Sequence, residues 1–150
     1  MDALKTAAKQ VLAAQKQAMR DVVSGLDAEA LNWKPLDGQE TNSIAALFAH
    51  ALDAERFLIA SSVDVTLDRD REAQFRVEVT SADELVALID RTEAEVNGWI
   101  DSLTAEQLAA EVARPNRTHP GAWWLLHAIE HSNEHVGQAL LTRQLYEARG

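Results

Sequence analysis

The sequence predicts an all-α protein, a four-helix bundle, on three observations. Long stretches repeat apolar residues at steps of three and four, N-capping residues open those stretches, and no convincing sheet pattern lies between them. Four long helices with short ones in their connections bury one stripe each most simply as a bundle. The 150 residues suit one domain, and no repeat, low-complexity tract or boundary divides 1–150.

The first stripe runs through Leu4, Ala8, Val11, Ala14, Ala18 and Val22. Lys5, Lys9, Lys16 and Arg20 stand off it, as a solvated face would. Gly25 supplies the stop. Asp27 to Leu31 reads as a short capped turn, and Asn32 to Gly38 as a loop marked by Pro35 and Asp37-Gly38. Thr41, Asn42 and Ser43 are all N-cap residues. A second long helix follows to about Ser61, with Leu47, Ala51, Ala54, Phe57 and Leu58 on its apolar face. Residues 62–80 are the least regular. The alternation of Phe75-Arg76-Val77-Glu78-Val79 fits a short extended segment or part of a long crossover loop, so simple up-down order is not required. Ser81-Ala82-Asp83-Glu84 reads as a capping box, with Glu84 reaching back to the N-cap amide. The third long helix carries Leu85, Leu88, Ile89, Val96, Ile100 and Leu103. Thr104 to Gln107 is a second box, opening a short helix that Pro115 breaks. The fourth long helix runs from about Ala122 to Ala148.

Charge and composition narrow the function. The formal net charge is -10. Phosphate binding needs clustered Lys and Arg, so neither nucleic acid nor an anionic membrane surface is an expected partner. The acid excess concentrates in 62–111, where thirteen Asp and Glu meet four Arg; this stretch reads as a solvated face away from any ligand site. There is no cysteine, which removes disulfides, thiolate zinc sites and cysteine nucleophiles, and leaves His, Asp and Glu to hold any metal. No signal-peptide pattern opens the chain, and no apolar run approaches the roughly 18 residues of a membrane span. A soluble cytoplasmic protein is expected.

The histidines carry the chemistry. His127, His131 and His135 follow at i, i+4 steps and lie about 40° apart on one helical face. Trp124, Ala128, Leu145 and Tyr146 share that face, so the histidines read as inward. His50 stands among Ala46, Leu47, Ala54 and Phe57 on the buried face of the second helix. A lone inward histidine is more simply a hydrogen-bonded core residue. A helical pair with a third imidazole from a facing helix is the donor set of a three-His metal site, with positions left open for water or substrate. His131-Ser132-Asn133-Glu134-His135 also matches the His-x-x-Glu-His protease signature. Only Val136 to Gly150 follows it, with Glu147 as the sole acid, so that reading fails, although Glu134 could still orient a water. No histidine has a glutamate three residues before it, which excludes a ferritin-like di-iron centre. No Gly-rich phosphate loop or Gly-x-Ser-x-Gly elbow is present. Arg114, Arg117 and His119 read first as a solvated loop and second as a meeting point for an anionic cosubstrate.

Four pieces in order resemble one family: Leu31-Asn32-Trp33-Lys34-Pro35; Asn42 to Leu47 leading to His50; Trp124 to His127 leading to His131; and His131 to His135 followed by Gly137-Gln138. The chain is similar, over nearly its whole length, to the DinB-like (YfiT-like) metalloenzymes. The resemblance implies an up-down-down-up bundle with a long crossover between the second and third long helices. It implies a divalent metal (zinc, nickel or iron) held by His50, His131 and His135, with His127 in a pocket or supporting position. Trp124, Glu134 and Gln138 are the further candidates around that site. Relatives include bacillithiol- and mycothiol-dependent S-transferases and a maleylpyruvate isomerase. The function expected from the resemblance is transfer of a low-molecular-weight thiol to a small-molecule electrophile, in a protein that forms homodimers. A non-catalytic metal-stabilised binding bundle and a metal-dependent hydrolase are the alternatives. Trp124 and Tyr146 are expected to shape an apolar wall, and Trp33, Trp99 and Trp123 to pack.

Overall fold

The computed structural model describes residues 1–38 and 40–149. In chain order its elements are α1 (Asp2–Val23), α2 (Ala28–Asn32), α3 (Ile44–Ser62), α4 (Arg71–Gln74), α5 (Ala82–Ser102), α6 (Ala105–Ala109), β1 (Glu111–Arg114), β2 (Arg117–Pro120) and α7 (Gly121–Ala148). Side-chain pairings fix the directions of the four long helices. Lys9 meets Asp101 and Arg20 meets Asp90, so α1 and α5 are antiparallel. Gln15 donates to the carbonyl of Ile129 and Arg143 to that of Val22, so α1 and α7 are parallel. Glu55 meets Ser132 while Gly121 lies against Ser62, so α3 and α7 are antiparallel. It follows that α3 runs with α5, in up-down-down-up order, and the chain must cross the bundle between them.

Helix α3 is the core element. Every residue from Ile44 to Leu52 is buried, because five alanines (45, 46, 49, 51 and 54) let its neighbours close on several sides. Ser43 caps it by accepting from the Ala46 amide at 3.1 Å.

Helix α1 is phased differently from the sequence expectation. It buries Ala8, Leu12, Gln15, Lys16, Met19, Val22 and Val23, while Leu4 and Val11 are 40% and 44% exposed. Two polar residues within the true stripe disguise it. Lys16 is buried, and its Nζ meets both carboxylate oxygens of Glu55, at 2.5 and 2.6 Å. Ser132 donates to the same carboxylate at 2.7 Å. These three residues form a polar layer across the middle of the bundle. One apolar cluster, holding Met19, Phe48, Leu52, Leu85 and Ile89, lies on one side of it. The other, holding Leu12, Leu58, Val96, Ile100 and Trp124, lies on the opposite side.

The connections hold the other departures. Glu84 accepts from the amide of Thr80 at 3.1 Å and from its hydroxyl, so the reach-back lands one residue before the expected Ser81, whose side chain makes no cap bond. The Thr104–Gln107 box forms as expected. The 62–80 crossover is not a strand: Asp70 caps the single turn α4, and Asn32 takes the place of a strand partner by bonding both the amide and the carbonyl of Val79. The sequence reading also missed a hairpin. β1 and β2 pair antiparallel with Arg114 opposite Arg117, around Pro115 and Asn116, whose φ of 71 suits the second of the two central positions of a type II turn. Contrary to the sequence expectation, Pro115 therefore turns a hairpin and does not break the short helix: α6 already ends at Ala109, and β1 lies between the two.

The hairpin delivers the chain to Gly121 at the start of α7. A Cβ there would stand 2.2 Å from the Gln107 carbonyl oxygen and 3.0 Å from that of Ser62, both backbone atoms. Gly121→Ala is therefore expected to destabilise the fold by about 1–3 kcal/mol through overpacking, read as a lower urea midpoint at unchanged m-value. Among the described residues, no helix is long and apolar enough to cross a membrane.

Candidate metal centre

His50 comes from α3 and His131 and His135 from α7. Their antiparallel packing places one ring nitrogen from each within 4.8 Å of the others. Ring centroids are 5.2 Å apart for His50–His131, 4.9 Å for His50–His135 and 4.4 Å for His131–His135. The two Nε2 atoms of His131 and His135 lie 3.3 Å apart. Two imidazoles on one tetrahedral ion, with metal–nitrogen bonds of about 2.0–2.1 Å, stand about 3.3–3.4 Å apart by the same geometry. The donor set and its spacing thus fit a divalent ion.

The surroundings set the state of each ring. His135 Nδ1 lies 2.7 Å from Gln138 Oε1. Gln138 in turn donates from Nε2 to Glu134 at 3.3 Å, which turns its Oε1 toward the ring. This network assigns the proton to Nδ1 of His135 and leaves the Nε2 lone pair facing the cluster. His50 is 4% exposed and stacks on Phe75 at 4.5 Å. The Nδ1 atoms of His50 and His131 are buried without a hydrogen-bond partner, orphans of the kind found at functional sites.

Burial pushes His50 down to about 3 and His131 to about 4; charge on the neighbouring histidines and on Arg69 and Arg71 adds to the effect. Both rings are neutral at neutral pH, the form that offers lone pairs to a metal. The sign for stability follows. Between the folded values and the ordinary value near 6.5, the unfolded chain binds more protons than the folded one, so stability rises with pH across that window. The metal-free protein is expected to lose melting temperature steadily from pH 7 to about pH 4.5, with a limiting slope of about 1.4 kcal/mol per pH unit for each ring. A His50→Leu variant is expected to show a shallower loss in the same melts.

The other candidates divide. His127 lies outside the cluster. Its ring is 6.0 Å from that of His131, it stacks on Trp123 at 4.5 Å, and its Nδ1 meets Glu130 at 3.2 Å. Trp124 is fully buried, with its indole N–H directed to the carbonyls of Val112 and His119. Both line a cavity of about 540 Å³ that opens beside His50 and His131 over Phe57 and Leu58. Tyr146 does not share that wall: it packs edge-on against Trp33 at 5.6 Å. Its place on the helical face was read correctly, but it lies about three turns beyond His135, too far along the axis to reach the site.

Sequence reasoning missed what the crossover contributes. Phe75, Arg69 and Arg71 stand at the site rather than on a remote solvated face. The only sequence signal was an aromatic residue inside a charged, irregular segment. Arg114 likewise leaves the solvated-loop reading: its side chain is 7% exposed, bonded to Ser61 and Asp64, and part of the cavity lining.

Comparison with known proteins agrees with this fold. The conserved protein of a locus from Enterococcus faecalis superposes with a TM-score of 0.78 at 17% identity, covering 96% of this chain and 97% of that one. YfiT from Bacillus subtilis, described as a probable metal-dependent hydrolase with an unusual four-helix bundle topology, gives 0.72 at 15% identity, covering 95% and 87%. A mutant of the mycothiol-dependent maleylpyruvate isomerase gives 0.64 at 14% identity, covering 89% of this chain and 60% of that one. At these identities the likeness is one of fold. Comparison with curated proteins returned no match. The DinB superfamily model matches residues 12–139. That span takes in the three clustered histidines and most of every long helix, and the chain belongs to the DinB superfamily.

Proposed function

We propose that His50, His131 and His135 hold a divalent ion (zinc, nickel or iron) and that the protein transfers a low-molecular-weight thiol to a small-molecule electrophile. The observation that carries this reading is a cluster of three imidazoles with metal-like spacing beside a cavity of about 540 Å³, in a chain without a cysteine of its own. When bound, such an ion supplies open coordination positions and lowers the pKa of a thiol or water placed there. The chain's residues do the rest. Gln138 and Glu134 hold the His135 ring in its tautomer. Phe75 covers His50 and keeps bulk water from it. Phe57 and Leu58, backed by the buried Trp124, offer an apolar floor to the body of the electrophile. His127, held through Nδ1 by Glu130, stands at the cavity as a group able to accept the thiol proton.

Hydrolysis is the second reading, favoured by the likeness in fold to YfiT, a probable metal-dependent hydrolase. The three-His arrangement serves both, since either a thiol or water can fill the open position. The discriminating experiment screens the metal-loaded protein with several thiols and chlorodinitrobenzene, and with activated esters in the absence of thiol. Thiol-dependent turnover that disappears in His50→Ala is the expected result. Ester cleavage without thiol would favour the hydrolase, and metal uptake with no turnover a non-catalytic binding bundle. A protein that takes up no divalent metal would remove the basis of all three. A homodimer belongs to the same proposal, and sedimentation equilibrium reads it directly.

A further inference from the structure

The cavity beside the histidines has the wrong charge for this protein. The chain holds 24 Asp and Glu against 14 Lys and Arg, so a lining drawn at random would be acidic. Instead, four of the ten arginines (Arg69, Arg71, Arg114 and Arg117) line it, with Asp68 as the only acid among the lining residues.

Two of the four are committed to the fold. Arg69 pairs with Asp53 of α3 at 2.6–2.7 Å and lies over the Phe57 ring. Arg114 is bonded to Ser61, Asp64 and the carbonyl of Val65. The other two keep their donors. Arg117 lies over the Trp123 ring at 5.8 Å and has no carboxylate within 4.0 Å among the described residues. Arg71 lies over Phe75 at 5.2 Å, and its one acidic partner, Glu72, is a sequence neighbour at 3.2 Å with both side chains more than half exposed. Such an exposed pair is weak. A guanidinium resting on an aromatic face leaves its N–H edge open for a planar, bidentate oxyanion. One free arginine comes from the crossover and the other from the hairpin, and both line the cavity that His50 and His131 also line.

We propose that the molecule this cavity receives is an organic carboxylate, with its acid group held by Arg117 and Arg71 and its apolar body over Phe57 and Leu58. This rests on the proposed thiol transfer for what lies at the histidine end, but the anion site itself does not require it. The carboxylate could belong to the thiol or to the electrophile, and matched probes separate the two.

The first test uses metal-free protein near neutral pH, so that no ion can bind the acid. Calorimetric titration compares 3-phenylpropionate with 3-phenylpropionamide. The acid is expected to bind roughly tenfold tighter or better, as a charge-assisted hydrogen bond supplies. The preference should disappear in Arg117→Gln and in Arg71→Gln, survive in Arg117→Lys, and shrink with added salt. Equal affinities for acid and amide, or a preference that survives both glutamine variants, overturn the proposal. The second test assigns the carboxylate. Cobalt-loaded protein is titrated with 3-mercaptopropionate and its amide, and turnover is compared for 4-chloro-3-nitrobenzoate and its amide, each relative to its uncatalysed rate. An acid preference among the thiols places the carboxylate on the thiol, and one among the electrophiles places it there. If no thiol perturbs the cobalt spectrum and nothing turns over, thiol transfer fails while the calorimetric result still decides the anion site.

Discussion

Lys16→Met is expected to lower the stability of the protein by about 3–5 kcal/mol, the range found when one partner of a buried ion pair is removed. Lys16 and Glu55 are 1% and 0% exposed, and Lys16 supplies both carboxylate oxygens with a charged donor. Without it, Glu55 keeps only the Ser132 hydroxyl, and an uncompensated carboxylate is left in the middle of the bundle. The interaction is not worth that much in itself, because desolvating the two charges offsets most of their attraction. The comparison that shows this is the triple variant Lys16→Met, Glu55→Met, Ser132→Ala, which removes charge and hydroxyl together. It is expected to recover most of the lost stability in urea melts. A triple variant as unstable as Lys16→Met alone would mean that the packing of the layer matters more than its charge.

The polar layer also bears on the site. Ser132 follows His131 directly, and Glu55 lies five residues beyond His50. A hydrogen bond between them ties α3 to α7 at the level where the histidines must meet. If the layer sets that register, the triple variant should fold yet bind metal more weakly than the parent, a separation that a purely stabilising role does not produce.

This layer also shows where the sequence stops being legible. Helix extents and most caps depend on nearest neighbours along the chain, and Ser43, Thr104 and Gly25 announced them. The spacing of His127, His131 and His135 put all three on one face, and the family resemblance singled out His131 and His135 with His50. The phase of α1 was misread because Lys16 looks solvated to any local rule, and only a carboxylate on another helix makes it a core residue. Phe75, Arg69 and Arg71 were missed for the same reason: the crossover is irregular by itself, and its role comes from the surface it crosses. The hairpin was hidden by its length, since two four-residue strands carry too little alternation to outweigh a proline between them.

The second large effect concerns metal affinity, and four single substitutions order it. His131→Ala and His135→Ala each remove a proposed donor and should abolish the rise in melting temperature that divalent metal is expected to give the parent. At metal a thousandfold above its dissociation constant, that rise corresponds to about 4 kcal/mol. Gln138→Ala leaves all three rings in place and removes only the acceptor that holds the His135 proton on Nδ1. Its expected cost is about 10–100-fold in affinity, or roughly 1.4–2.7 kcal/mol of the metal increment. His127→Ala should leave the increment close to that of the parent, since its ring stacks on Trp123 and its Nδ1 is engaged by Glu130. These variants discriminate because His127, His131 and His135 are equivalent by spacing and differ only in the partners of their ring nitrogens. A loss in His127→Ala as large as that in His131→Ala would move the site one turn toward the start of α7 and out of reach of Gln138. An unchanged Gln138→Ala would show that the His135 ring is held by packing alone, without help from the amide.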